Sequence, residues 1–144
     1  MGMYTEIVVG VSLNPKAPER VVSALKFMAG LEPDEPDGFP LSGERSAWML
    51  RGGSYYFPIT SGHVSMRFDE IKKAWELQAR SNIKNYSGEI EEFFKWIAPY
   101  IETQGDWTIM GYSRYEEDEQ DTAHYAGRNG EHATVQVPLP EASR

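Results

Sequence analysis

The fold turns on one stretch, Ile71-Lys72-Lys73-Ala74-Trp75-Glu76-Leu77-Gln78-Ala79-Arg80-Ser81-Asn82-Ile83. Lys72 to Arg80 is rich in strong helix formers. The apolar positions say otherwise. Trp75, Leu77, Ala79, Ser81 and Ile83 alternate with Glu76, Gln78, Arg80 and Asn82. A helix would gather only Ile71, Trp75 and Gln78 or Ala79 on one stripe, too little to bury. Period two outweighs propensity, so the stretch reads as a strand with one buried face.

The neighbours of this stretch extend the pattern on both sides. Upstream, Val64, Met66 and Phe68 alternate with Ser65 and Arg67, which is a second strand. Tyr55-Tyr56-Phe57, ended by Pro58, is a third, and the Ser61-Gly62 turn makes a hairpin of the two. Downstream, Ser87 is placed to cap a helix whose first turns carry Glu89, Glu91 and Glu92, where the helix dipole favours anions. Ile90, Phe93, Phe94, Ile97 and Ile101 form its apolar stripe, and Pro99 stops it.

The ends of the chain complete the order. Residues 4–13 set Ile7, Val9, Val11 and Leu13 against Glu6, Gly10 and Ser12, a strand that Asn14-Pro15 breaks. A helix over residues 17–29 follows, with Pro18 in its first turn and Gly30 just past its end. Residues 31–46, with Pro33, Pro36, Gly38, Pro40 and Gly43, read as a loop. Residues 107–115 read as a strand with Trp107, Ile109 and Gly111 on one side and Met110 and Tyr112 on the other. Residues 122–126 and 132–137 form a hairpin around Arg128-Asn129-Gly130. The order is β-α-β-β-β-α-β-β-β. This predicts an α+β domain spanning residues 1–137, an antiparallel-rich sheet with two helices on one face, and a flexible tail at 138–144.

Composition limits the function. The chain has 144 residues, a formal charge of −8 and no cysteine. A disulfide scaffold, a thiol nucleophile and a cysteine-ligated metal are excluded. No apolar run reaches the roughly 18 residues of a membrane span, and no secretory leader is visible, so the expected location is the cytoplasm. No nucleotide-binding or hydrolase motif occurs. Asn85-Tyr86-Ser87 matches a glycosylation sequon but reads as a helix start.

The segments Ser54-Tyr55-Tyr56-Phe57, Met66-Arg67-Phe68-Asp69-Glu70-Ile71, Asn82-Ile83-Lys84-Asn85-Tyr86 and Glu89-Ile90-Glu91-Glu92-Phe93 form a further pattern. Trp96-Ile97-Ala98-Pro99-Tyr100 and Gly111-Tyr112-Ser113-Arg114-Tyr115-Glu116-Glu117 continue it. Together they resemble a group of small uncharacterised proteins of bacteria and their phages, from about residue 4 to residue 120. The resemblance implies a phage or mobile-element accessory setting and carries over no catalytic residue.

The charge is concentrated. Residues 87–121 hold ten acids and two bases, Lys95 and Arg114, while the remaining residues balance. Such a field steers a basic partner. The expected function is therefore a non-enzymatic interaction protein, without cofactor or direct contact to nucleic acid. It engages a basic protein surface, such as the nucleic-acid-binding site of a host or defence protein, through Glu89, Glu92, Glu116, Glu117, Asp118, Glu119 and Asp121. Two alternatives stand beside it. One is a small-ligand or nucleotide binder with a pocket lined by Tyr55, Tyr56, Arg67, Arg80 and Arg114, since arginine suits phosphate and carboxylate. The other is a self-associating phage structural or assembly component. His124 and His132 face each other across the last hairpin and, with the acidic loop, suggest a divalent metal, although their spacing matches no ligand pattern and ordinary strand histidines are the better reading. Gly52-Gly53 suggests an anion cradle on weak grounds.

Overall fold

A computed structural model describes residues 3–53 and 62–140. Residues 71–83 are a strand from Ala74 onward. Its neighbours along the chain run as β1 (Thr5–Ser12), α1 (Glu19–Met28), β2 (His63–Asp69), β3 (Ala74–Ile83), α2 (Glu89–Ile97), β4 (Trp107–Tyr115), β5 (Gln120–Gly127) and β6 (His132–Pro138). The six strands form one sheet in the order β2-β3-β1-β4-β5-β6, and every pair is antiparallel. The α+β architecture is as the alternation predicts. The strand expected at Tyr55-Tyr56-Phe57, and its hairpin, lie outside the described residues.

β1 is the axis of the sheet. Val9 stands opposite Ala79 of β3 and Gly111 of β4, and Ile7 stands opposite Ser81 and Ser113. Thr5, Ile7, Val9, Val11 and Leu13 are buried on one face under both helices. Val8 and Gly10 are exposed on the other, which no helix covers among the described residues. The core is closed by Val21, Leu25 and Met28 of α1 and by Ile90, Phe93, Phe94 and Ile97 of α2. Each such large side chain contributes about 1.5–3 kcal/mol before entropy is counted.

Four local readings are corrected. The β3 alternation starts at Ala74, because residues 70–73 are a turn. The Asp69 carboxylate accepts the N–H groups of Ile71 and Lys72 there, and Lys73 takes φ 56°. Ser87 does not cap α2; Gly88 does, in the left-handed region at φ 69°. The Asn85 side chain satisfies the Ile90 N–H from outside the helix. In β4 a bulge between Ile109 and Gly111 shifts the parity. Tyr112 therefore joins Ile109 on the uncovered face, while Gly111 falls in the covered set. Where the flexible tail was expected to start, Pro138 is the last residue of β6 and the Leu139 N–H donates to the Glu119 carbonyl at 3.0 Å, while residues 141–144 lie outside the described residues.

The bulge leaves no room at residue 111. A Cβ there would strike the Val8 carbonyl oxygen, which is backbone and cannot turn aside. Gly111→Ala is therefore expected to destabilise the fold by about 1–3 kcal/mol, read from the urea midpoint. Gly10→Ala, in the next strand with nothing within 4 Å of the added carbon, is the control with little effect.

Candidate functional site

Seven acids were expected to act as one surface, and the fold divides them. Glu89 is fully buried at the first position of α2. Its carboxylate accepts the Ser87 N–H at 2.8 Å and the Arg45 N–H at 3.2 Å, tying the 41–46 loop to the helix. Glu89 is thus a structural group and is withdrawn from any partner face. Glu92 accepts the hydroxyl and the N–H of Ser42 on that same side. Asp121 lies on the uncovered face, 3.9 Å from Arg114 Nε. Glu116 binds back to the Tyr4 N–H at 2.9 Å.

Glu117, Asp118 and Glu119 remain, exposed on the β4–β5 turn with no salt bridge among the described residues. They are not alone there. Asp118 and Glu91 of α2 line one hollow of about 450 Å³, together with Asn85, Tyr86, Ser113 and Tyr115. Desolvation, and then the carboxylates of Glu117, Glu116 and Asp118, push the Tyr115 phenol above its ordinary pKa. Sequence reasoning named the turn acids and missed Glu91, Tyr86 and Asn85 as their neighbours. The available signal was the run of acids that opens α2.

The arginines behave differently. Arg67, Arg80 and Arg114 all project from the uncovered face, as side chains of opposite parity to the core. Each already has a carboxylate. Arg67 meets Glu76 at 2.6 Å and Arg80 meets Glu6 at 2.9 Å. With Arg114 opposite Glu6 in register and paired to Asp121, the charges alternate across β3, β1, β4 and β5. Only Arg80 of the three lines the hollow of about 720 Å³ on this face, with Val8, Gly10, His63, Ile109 and Tyr112. Tyr55 and Tyr56 lie outside the described residues. Gly52 is no anion cradle. Its carbonyl accepts the Asn82 N–H at 2.8 Å, and an added Cβ would strike the Asn82 carbonyl.

The two histidines do face each other. Their rings stack at 5.3 Å, and His124 Nδ1 lies 3.0 Å from His132 Nε2. His124 Nε2 lies 2.8 Å from Ser113 Oγ, and Phe94 covers the ring at 4.0 Å. Both nitrogens of His124 are therefore engaged, which leaves neither for a metal. Among the described residues no group of three or more His, Asp or Glu is placed to hold an ion. The Ser-His-His chain has the connectivity of a nucleophile relay. Its energetics are those of a structural network. Burial, and then the neighbouring His132, hold the His124 imidazole down to about 3, so it is a poor acceptor of the Ser113 proton.

That depression has a sign. Between the unfolded value near 6.5 and the folded value near 3, the unfolded chain binds the extra proton. Stability therefore falls as pH is lowered from 6.5, and burial of His132 adds in the same direction. The melting temperature of the wild type is expected to drop between pH 7.5 and 5.5. His124→Gln, less stable at pH 7.5, is expected to show a clearly shallower drop. Glu89→Ala is expected to cost about 1.5–3 kcal/mol or more, since it leaves two backbone N–H groups without their charged acceptor.

Among the described residues no helix is long and apolar enough to cross a membrane. The chain matches no family model, no curated protein and no solved structure.

Proposed function

We propose that this chain is an acidic interaction protein that engages a basic protein surface through the end of the molecule where the β4–β5 turn meets the start of α2. One observation carries the reading. Acids from two separate elements, Glu91 and Asp118, border one hollow with Tyr86 and Tyr115, beside Glu117 and Glu119, which have no salt bridge among the described residues. Unneutralised carboxylates close together repel, and a partner that brings lysine or arginine relieves that repulsion. The Arg45 guanidinium already packs over the Tyr86 ring at 4.9 Å, and Tyr115 offers a guanidinium or ammonium group of the partner the same kind of contact. A nucleic-acid-binding site is a surface of this kind, dense in Lys and Arg, and the phage-like setting supplies a host or defence protein in the cytoplasm as its owner. No catalytic step is assigned.

The test uses Glu117→Lys, Asp118→Lys and Glu119→Lys together, a turn variant that leaves Glu89 and Glu116 in their structural roles. Partners recovered with the wild type are expected to be lost with the variant, and affinity for an arginine-rich peptide to fall about tenfold or more. Raising salt from 50 to about 300 mM is expected to weaken the wild type and leave the variant little changed. Identical partner lists for the two proteins would overturn the reading.

A second reading has its own observation, the hollow of about 720 Å³ on the uncovered sheet face. Its lining of Val8, Ile109, Tyr112, Arg80 and His63 suits a flat organic anion. A nucleotide panel that raises the melting temperature of the wild type but not of Arg80→Ala would favour it; a panel without effect removes it.

A further inference from the structure

We infer that the free edge of β6 receives the β6 of a second copy of this chain, antiparallel, so that two sheets join into one. Among the described residues β6 closes one side of the sheet, with no strand beyond it. Which of its peptide groups point outward follows from the ladder with β5. The Gly127 N–H donates to the Glu131 carbonyl at 2.8 Å, and the Leu139 N–H donates to the Glu119 carbonyl at 3.0 Å. Residues of odd number therefore turn their peptide groups to β5, and His132, Thr134 and Gln136 turn theirs away. A row of open donors and acceptors is a template for another strand.

The two sheet edges are not guarded alike. β2 on the far side carries Arg67 and Asp69 within the strand. β6, His-Ala-Thr-Val-Gln-Val-Pro, carries no charge, and its one proline is its last residue. Each of the other five strands contains at least one charged residue. In a chain of charge −8, this edge is where two copies meet without facing strand charges.

The side chains select the occupant. Ala133, Val135 and Val137 lie on the uncovered face, with Val135 52% and Val137 40% exposed. Setting Val135 opposite Val135 of the second copy places Ala133 opposite its Val137. One apolar row then crosses the junction. In the same register Thr134 and Gln136 exchange peptide hydrogen bonds, and the His132 N–H meets the Pro138 carbonyl, where the missing proline N–H costs little. A foreign strand would need apolar residues at the same alternate positions, whereas the second copy supplies them. The contact is isologous and uses up both edges, so it stops at two chains.

Sedimentation equilibrium on the intact chain tests this, with Thr134→Pro and Val135→Lys as variants. Thr134→Pro removes an outward N–H without cutting the β5–β6 ladder. Val135→Lys leaves every backbone bond in place and sets two cations face to face. The wild type is expected at twice 16.3 kDa, and both variants at 16.3 kDa with unchanged circular dichroism. The amides of Thr134 and Gln136 are expected to exchange slowly only at concentrations where the dimer forms. A wild type that stays at 16.3 kDa up to about 1 mM overturns the proposal, whether or not some other strand binds there. A dimer that persists in a folded Val135→Lys variant overturns it as well. Neither substitution touches the carboxylates of the acidic turn, which meets the end of β6 from the β5 side through the Leu139 N–H and the Glu119 carbonyl.

Discussion

The structure depends on the burial of one side of β1. That strand sits between β3 and β4, and its odd-numbered residues face two helices. Because side chains alternate with strict period two, a register slip of one residue would send Ile7, Val9 and Val11 to solvent. This penalty fixes the pairing of β3 and β4 on either side, and through them the positions of β2, β5 and β6. The bulge in β4 is the accommodation that lets Met110 enter the core while Ser113 keeps its place beneath α2.

The same constraint sorts the polar groups. Ser113, His124 and Glu89 lie in the covered layer, where each must find hydrogen-bond partners, and each does. Glu89 shows why position outranks residue type. An acid in the first turn of a helix invites the description of a solvated face, yet this one is sealed under the 41–46 loop and spends its charge on two peptide N–H groups. The histidines make the same point. Their connectivity is that of a relay, and the dry surroundings keep the imidazole neutral, which gives the pair a stabilising role above pH 6.5.

On the uncovered side the charges answer one another across the strands, Arg80 to Glu6 and Arg114 to Asp121. Three acids without a salt bridge among the described residues, Glu117, Asp118 and Glu119, sit together in the turn after β4. The net charge of the chain is therefore not spread over the segment that contains it. Part lies inside, part is paired with arginine, and part forms a small acidic end beside two tyrosines. The uncharged outer edge of β6 adjoins that turn at its Pro138 end, where the Leu139 N–H bonds to the Glu119 carbonyl.

Much of this architecture was legible in the residues. Alternation in 4–13 and 74–83, the stripe of α2 and the Asn129-Gly130 turn each state a local periodicity, and local periodicity follows from backbone geometry alone. The strand expected over 71–83 forms from Ala74 onward, against its helix propensity, because burying Leu77, Ala79 and Ile83 together outweighs small intrinsic preferences. The residue list for an acidic surface was legible only as composition. Whether Glu89 is inside, whether Asp121 already has an arginine, and whether Glu91 borders the same hollow as Asp118 depend on how separate elements pack. The parity shift at Ile109–Gly111 belongs with them, since it arises from the approach of the β1 backbone. The sequence by itself determined which elements form and which faces they bury, because those follow from side-chain spacing. Only the tertiary structure decided which charges remain free, because neutralisation depends on distance in space.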